Sequence, residues 1–144
     1  MALQKIIAFS LLIGAVSSKT IDRCTFIDEL EKVSDLIGYK EYTAGDYVCL
    51  AHHISGFDTS LHSSPSEYGI MQLNSYWWCD DGKTPGRKNL CGIKCKDLLD
   101  SNINDDLQCF SRVLHDPNGI AAWPVWTEKC EGQDLSKYTE GCNK

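Results

Sequence analysis

The chain is predicted to adopt an α+β fold, in which helices from both ends enclose a small strand-and-loop insert at about residues 57–103. Three observations favour this class. Apolar residues recur with helical spacing towards both ends of the chain, the middle is rich in aromatic and turn-forming residues, and there are eight cysteines. With 144 residues in total, the chain is predicted to form one domain after an N-terminal leader.

The helices are predicted from the periodicity of apolar residues. The segment CTFIDELEKVSDLIG indicates a first helix ending at Gly38, and AGDYVCLAHHIS indicates a second, with Asp46 near its start and Gly56 after its end. NDDLQCFSRVLHD indicates a third helix with Asn104 as its N-cap. A short fourth helix is predicted over residues 123–129.

The middle of the chain has a different pattern. SSPSEYGIMQLNSYWW is rich in aromatic and apolar residues interrupted by Pro65 and Gly69, which predicts short hairpin strands. DDGKTPGRKN, which follows, is predicted to be an irregular loop.

The first 18 residues, MALQKIIAFSLLIGAVSS, have the layout of a secretory signal peptide. A positive residue, Lys5, precedes an apolar run that is too short to span a bilayer, and small residues follow it. We expect cleavage near Ser18, a secreted, extracellular protein of residues 19–144, and no membrane span.

The cysteines all lie after the predicted signal peptide: Cys24, Cys49, Cys79, Cys91, Cys95, Cys109, Cys130 and Cys142. An even number of cysteines in an exported chain predicts disulfides, here four. A zinc site is the alternative, because CGIKC brings two thiols close together, but no second Cys or His pair has matching spacing. Spacing alone does not choose among the possible pairings.

The charge of the chain argues against two classes of partner. The formal net charge is −6, and removal of the signal segment leaves 13 basic and 20 acidic residues, or −7. An acidic surface disfavours nucleic acid and anionic bacterial envelopes as partners held by charge attraction.

Several motifs resemble the C-type lysozyme and α-lactalbumin family: SGFDT, SEYGIMQLNS, WWCDDGKTPG, NLCGIKC, LLDSNINDD and DPNGIAAW. With the order and spacing of the cysteines, the resemblance covers the whole of residues 19–144. It implies a monomer with a helical lobe and a small β-lobe that face each other across a sugar cleft. It also implies the disulfide pairs Cys24–Cys142, Cys49–Cys130, Cys79–Cys95 and Cys91–Cys109.

Family muramidases hydrolyse the β-1,4 glycosidic bonds of peptidoglycan with two carboxylates. The resemblance places Ile54 where the family has its general acid and Glu67 where it has the second carboxylate. Ile54 has no proton to donate, and Glu67 is one methylene longer than the aspartate usual at that position. We therefore expect that this chain is not an efficient muramidase.

The saccharide-contacting positions of the family are better retained. The resemblance implies a cleft lined by Gln72, Asn74, Trp77, Trp78, Asp116 and Trp123. Indole faces suit pyranose rings, and amides and carboxylates accept or donate hydrogen bonds to hydroxyl groups. The alternative is that the tryptophans pack in the core, which we favour for Trp123 and Trp126 but not for Trp77.

The acidic segment KDLLDSNINDDLQC, which we call the acidic loop, is similar to the calcium loop of α-lactalbumin and the calcium-binding lysozymes. The resemblance implies carboxylate ligands from Asp100, Asp105 and Asp106 and backbone carbonyl ligands from Asp97 and Asn102. An oxygen shell of this kind suits Ca²⁺. An EF-hand does not fit, and the remaining alternative is helix capping without a metal.

Two functions follow from the resemblance. The first is a calcium-binding, non-catalytic protein similar to α-lactalbumin, which redirects a galactosyltransferase towards glucose in lactose synthesis. His53 matches a partner-contact position of that protein, although the C-terminal segment lacks its Gln-Trp contact. The alternative is a lysozyme with weak or altered activity, and a plain saccharide-binding protein is a third possibility.

Overall fold

The computed structural model describes residues 19–142, so the predicted signal segment lies outside the described residues. The described elements comprise four α-helices, two strands and four 3₁₀ helices. The α-helices are α1 (Arg23–Glu31), α2 (Ala44–Ser55), α3 (Asn104–Leu114) and α4 (Pro124–Lys129), and the strands are β1 (Glu67–Tyr68) and β2 (Leu73–Asn74). The 3₁₀ helices are Tyr39–Glu41, Cys95–Leu99, Gly119–Ala122 and Ser136–Tyr138.

Helix α2 has a capping motif at each end. The Thr43 side chain accepts the backbone N–H of Asp46, and the Asp46 carboxylate accepts the backbone N–H of Thr43, which forms a capping box. Gly56 follows the helix in the left-handed conformation, with φ of 59°. The predicted bounds of this helix are confirmed.

The prediction for α1 is wrong at its C-terminal end. The helix ends at Glu31, with Lys32 as its C-cap, and not at Gly38. Asp35 has a φ of 63°, which a continuing right-handed helix does not allow. The change of direction buries Leu36 completely and leaves Ile37 42% exposed.

The start of α3 also differs slightly from the prediction. Ile103 is the N-cap residue and Asn104 is the first residue of the helix. The oxygen that caps the Asn104 backbone N–H comes from the side chain of Asn102, at 3.1 Å. The acidic loop therefore supplies the cap itself.

The β-lobe contains a small antiparallel hairpin. Glu67 pairs with Asn74 and Tyr68 pairs with Leu73, as the sequence pattern predicts. Gly69, in the turn between the strands, has a φ of 82°, a conformation that glycine tolerates and larger residues rarely adopt.

A single buried cluster joins the two lobes. It includes Phe26, Leu50 and Phe110 from the helices and Ile70 and Met71 from the β-lobe, all of them fully buried. The two lobes therefore share one hydrophobic core. The predicted α+β class is confirmed.

Four disulfides join the cysteines as the resemblance implies: Cys24–Cys142, Cys49–Cys130, Cys79–Cys95 and Cys91–Cys109. The two cysteines of CGIKC belong to different disulfides, so they hold no thiolate pair for zinc. Within residues 19–142, no helix is long and apolar enough to cross a membrane.

Candidate functional site

A cavity of about 360 Å³ lies between the hairpin and the end of α3, and we call it the tryptophan cavity. Its lining combines indole rings with amide and carboxylate groups, from Asn74, Trp77, Trp78, Val113, Asp116, Asn118, Gly119 and Ala122. A cavity of this size, with an apolar wall and a few polar groups, suits a small polar ligand that has an apolar face.

The two adjacent tryptophans have different roles in this cavity. Trp77 is 48% exposed, whereas Trp78 is 8% exposed. The Asn74 side-chain oxygen accepts the backbone N–H groups of Tyr76 and Trp77, at 2.7 and 3.2 Å, and so fixes the turn that carries the indoles. Trp77 therefore presents an open aromatic face, as the sequence analysis predicts.

Asp116 lies across the cavity, just beyond the C-terminal end of α3. Its carboxylate accepts a hydrogen bond from Arg112 Nη1 at 2.9 Å. The Arg112 guanidinium also lies 5.7 Å from the centre of the Trp78 ring, within the range of a cation–π interaction. Arg112 thus connects the two walls of the cavity, a role that the sequence analysis missed.

Two residues predicted for the cleft do not line the tryptophan cavity. Trp123 is 8% exposed, donates its indole N–H to the Met71 carbonyl at 2.9 Å and packs edge-on against Phe110. Gln72 is also buried, donates to the Leu61 and Gly69 carbonyls and accepts a hydrogen bond from Ser63. The Trp123 side chain therefore joins the two lobes. The Gln72 side chain makes its hydrogen bonds within the β-lobe.

The two positions of the expected catalytic pair carry one aliphatic and one carboxyl side chain. Ile54, near the C-terminal end of α2, is half-buried and packs against the hydrophobic core. Glu67, in β1, is also half-buried, and its carboxylate accepts a hydrogen bond from Ser64 Oγ at 2.8 Å. One member of the pair therefore lacks any proton to transfer.

The polar residues nearest Ile54 in sequence are engaged elsewhere. The His53 ring lies 3.3 Å from the Tyr138 hydroxyl, and His52 contacts the rings of His53 and Tyr138. The Asp58 carboxylate accepts hydrogen bonds from the backbone and the hydroxyl of Ser60, both at 2.9 Å. All three side chains therefore have hydrogen-bond or ring partners of their own.

His53 also has a distinct electrostatic environment. Partial burial lowers its pKa below the usual 6.5, and the nearby positive groups of His52, Lys129 and Lys137 lower it further. The imidazole is exposed, and its surroundings favour the neutral form, so it is accessible to a partner.

The acidic loop contains the most unusual carboxylate of the molecule. Asp106, in the first turn of α3, is fully buried, and neither of its oxygens has a hydrogen-bond partner among residues 19–142. Burial raises its pKa to about 10, with further contributions from Asp105 and Asp100. A buried carboxylate without a partner costs free energy, which a cation or a proton would relieve.

The other predicted ligands are exposed or half-buried residues of the acidic loop. Asp100 accepts the backbone N–H of Asn102, at 3.1 Å, and Asp105 accepts that of Asp106, at 2.9 Å. Asp97 is exposed, in the 3₁₀ helix Cys95–Leu99, which overlaps the start of the acidic loop. With Asp106, these residues offer the carboxylate and carbonyl oxygens that a hard cation such as Ca²⁺ prefers.

Ligand atoms of three His, Cys, Asp or Glu residues approach within 4.8 Å of one another at one place in residues 19–142. That set is Cys49, Cys130 and His53, whose two sulfurs form a disulfide and offer no thiolate. The carboxylates of Asp100, Asp105 and Asp106 do not meet this distance in the structure.

Comparison with known proteins gives a consistent result. A sequence model described as C-type lysozyme/alpha-lactalbumin family matches residues 19–142. The chain is 46% identical to human sperm acrosome-associated protein 5 over 138 residues, or 93% of this chain and 86% of that protein. It is 42% identical to lysozyme C of Pelodiscus sinensis, over 86% of this chain and 98% of the relative. It is also 42% identical to lysozyme C-3 of Sus scrofa, over 95% of both chains.

Proposed function

Since the chain belongs to the C-type lysozyme/alpha-lactalbumin family, we propose that it acts by binding saccharide rather than by cleaving it. The observation that carries the proposal is the half-buried Ile54 at the position of the general acid. A leaving glycosidic oxygen must be protonated, and an aliphatic side chain cannot do this.

The loss of the acid is large in energetic terms. Removal of a general acid typically slows a reaction by a factor of about 10²–10⁴. Glu67 alone could stabilise positive charge on the sugar ring but would leave the leaving group unprotonated. The two carboxylates of a muramidase act as a unit, so the effects of losing each one are not additive. Glu67 alone would therefore not retain half of the activity.

The tryptophan cavity supports the binding half of the proposal. Trp77 offers an exposed indole face, and Asn74 and Asp116 place an amide and a carboxylate in the same cavity. Weak binding of N-acetylglucosamine oligomers follows from this combination of stacking surface and polar groups.

Calcium is the second part of the proposal. Asp100, Asp105 and Asp106 would supply carboxylates, and Asp97 and Asn102 would supply backbone carbonyls. The partnerless oxygens of Asp106 support it, because a bound cation would coordinate buried oxygens that otherwise have no hydrogen-bond partner. In this role Ca²⁺ stabilises the fold and takes no part in chemistry.

A narrower version of the proposal makes the chain a regulator of a galactosyltransferase. It is supported by the exposed His53 at the corresponding contact position, whose surroundings favour the neutral imidazole. Addition of the chain to a galactosyltransferase with glucose as acceptor tests it, because only a regulator would increase transfer to glucose. A plain saccharide-binding protein would leave the acceptor preference unchanged.

We also propose that the chain is exported and works outside the cytosol. The four disulfides support this, since such bonds persist in oxidising compartments. The similarity to a protein named for its association with the sperm acrosome suggests one setting, a secretory organelle, in which an exported chain could act.

The deciding experiment combines a lysis assay with a binding assay. We expect the native chain to leave bacterial walls intact while N-acetylglucosamine oligomers change its tryptophan fluorescence. Lysis at a rate comparable to that of an active lysozyme would overturn the non-hydrolytic proposal and favour the alternative, a peptidoglycan hydrolase. No fluorescence change at any oligomer concentration would remove saccharide binding.

A further inference from the structure

A second cavity, of about 410 Å³, lies beside the Cys91–Cys109 disulfide and is bounded by Arg112, whose guanidinium also lies over the Trp78 ring of the tryptophan cavity. We call it the disulfide cavity. Its lining comprises Leu90, Cys91, Gly92, Ile93, Asn104, Asp105, Gln108, Cys109 and Arg112. None of these residues was assigned to saccharide binding above.

We propose that the disulfide cavity binds a carboxylate-bearing sugar residue that continues a saccharide lying on Trp77, with Arg112 as the group that recognises the carboxylate. This rests on the proposed function, because it names the class of saccharide that the tryptophan cavity would hold. The glycan would be acidic, ending in a uronic or sialic acid type of sugar.

The two cavities are adjacent, and the backbone keeps them so. The backbone N–H of Leu90 donates to the Trp77 carbonyl at 2.8 Å, and that of Cys91 donates to the Trp78 carbonyl at 3.1 Å. Trp77 and Leu90 are also two of the exposed large hydrophobic side chains, at 48% and 44%. A ligand leaving the face of Trp77 would therefore meet Leu90 next.

Arg112 stands at the boundary with part of its guanidinium available. Nη1 donates to Asp116, and the guanidinium carbon lies over the Trp78 ring, 5.7 Å from its centre. Within residues 19–142, Nε and Nη2 make no hydrogen bond, and 43% of the side chain is exposed. A carboxylate can accept two parallel hydrogen bonds from an arginine, which a hydroxyl group cannot.

The rest of the lining suits the body of such a sugar. Asn104 and Gln108 precede Arg112 on the same side of α3, at intervals of four residues, and offer amides for hydroxyl or acetamido groups. Leu90 and Ile93 provide an apolar wall. Asp105 also lines the cavity, and its negative charge repels an anionic ligand. A cation bound at the acidic loop would neutralise this charge. The binding measurements are therefore made in buffer that contains Ca²⁺.

The test compares two oligosaccharides that differ in one group. One is an N-acetylglucosamine oligomer ending in a uronic acid, and the other is the same oligomer with that acid reduced to the neutral sugar. We expect calorimetry to show about tenfold tighter binding of the acidic oligomer at low salt, a preference that falls as salt is added. In Arg112→Gln the ratio of the two affinities should fall to about one.

Arg87→Gln is the matched control, since it removes an exposed arginine that also pairs with an aspartate, Asp80, but lines neither cavity. The ratio should keep its native value there. Amide resonances of Gly92 and Gln108 should shift with the acidic oligomer and not with the neutral one, which locates the site independently of affinity.

The possible failures are distinguishable. Equal affinity for both oligomers in the native chain would overturn the acidic-sugar site and leave saccharide binding intact. If neither oligomer changes tryptophan fluorescence, the proposed function fails and the acidic-sugar site fails with it. A preference that persists in Arg112→Gln would show that another group recognises the carboxylate and would overturn the assignment to Arg112.

Discussion

The backbone of Gly69 lies against the carboxylate of Asp106. A Cβ atom placed on Gly69 would lie 2.5 Å from Asp106 Oδ2 and in contact with the Leu98 carbonyl oxygen. The turn of the β-lobe hairpin therefore meets two parts of the acidic loop at one point, the start of α3 and the 3₁₀ helix Cys95–Leu99. The geometry of that loop depends on a glycine more than thirty residues away in sequence.

We expect Gly69→Ala to destabilise the fold strongly. The left-handed φ of 82° costs an alanine about 1 kcal/mol, and displacement of Asp106 or Leu98 adds about 1–3 kcal/mol. The measurement is the free energy of unfolding in urea.

Gly82→Ala is the control, because Gly82 has a similar φ of 78° and an added Cβ atom there would meet no other atom within 4 Å. The difference between the two variants isolates the contacts of residue 69 with Asp106 and Leu98 from the cost of the left-handed backbone. Equal losses of stability would show that these contacts are unimportant.

Calcium should stabilise the native chain through the acidic loop. At a Ca²⁺ concentration one hundred times its Kd, binding adds about 2.7 kcal/mol, which corresponds to a rise in Tm of about 10 °C over the chelated protein. Asp106→Asn should abolish the difference between Ca²⁺ and EDTA, since it removes the buried charge and a ligand.

Asp97→Ala provides the matched comparison for the loop. The proposed ligand from this residue is its backbone carbonyl, so loss of the side chain should preserve the response to Ca²⁺. A native Tm that is the same in EDTA and in excess Ca²⁺ would exclude the site. A response lost equally in both variants would argue for general charge effects instead.

Introduction of the missing acid should create hydrolytic activity. Ile54→Glu places a carboxyl group in a half-buried, apolar position, where burial raises the pKa and favours the protonated form that a general acid needs. We expect wall lysis to become measurable, though below that of an active lysozyme, because Glu67 is longer than the usual aspartate.

Ile54→Gln separates chemistry from polarity at this position. Glutamine has the shape of glutamate but no transferable proton, so this variant should stay inactive. Lysis by Ile54→Gln at the level of Ile54→Glu would mean that the gain comes from altered packing. The native chain serves as the second reference.

The sequence predicted those features whose causes are local. Thr43, Asp46 and Gly56 define α2 because capping chemistry acts within a few residues. The end of α1 was misjudged because the left-handed conformation of Asp35 leaves no mark in the apolar periodicity.

The features that could not be predicted from the sequence depend on tertiary contacts. Arg112 reaches Trp78 only because the hairpin packs beside α3, and a lone arginine on a helix is ordinarily a solvated charge. Gln72 matched a cleft position by resemblance, yet its amide is satisfied by backbone carbonyls of the β-lobe. Burial and partners depend on the assembled fold.

Saccharide binding should depend on the exposed indole of Trp77. We expect Trp77→Ala to weaken binding of an N-acetylglucosamine trimer by about tenfold, since stacking of this kind contributes on the order of 1–1.5 kcal/mol. Ile37→Ala is the control, because Ile37 is 42% exposed but does not line the tryptophan cavity. Equal affinities in both variants would move the binding site away from Trp77.

The titration of His53 should report its surroundings. Partial burial and the positive charges of His52, Lys129 and Lys137 disfavour the imidazolium, so the NMR midpoint should lie below 6.5. A lowered pKa means that the unfolded chain binds the proton more readily, so stability is lost as the pH falls through the unfolded value of about 6.5 towards the folded one. Lys137→Gln should raise the midpoint of His53, since it removes one of the opposing charges. A native midpoint at or above 6.5 would contradict this environment, and with it the view that His53 offers a partner a neutral, accessible ring.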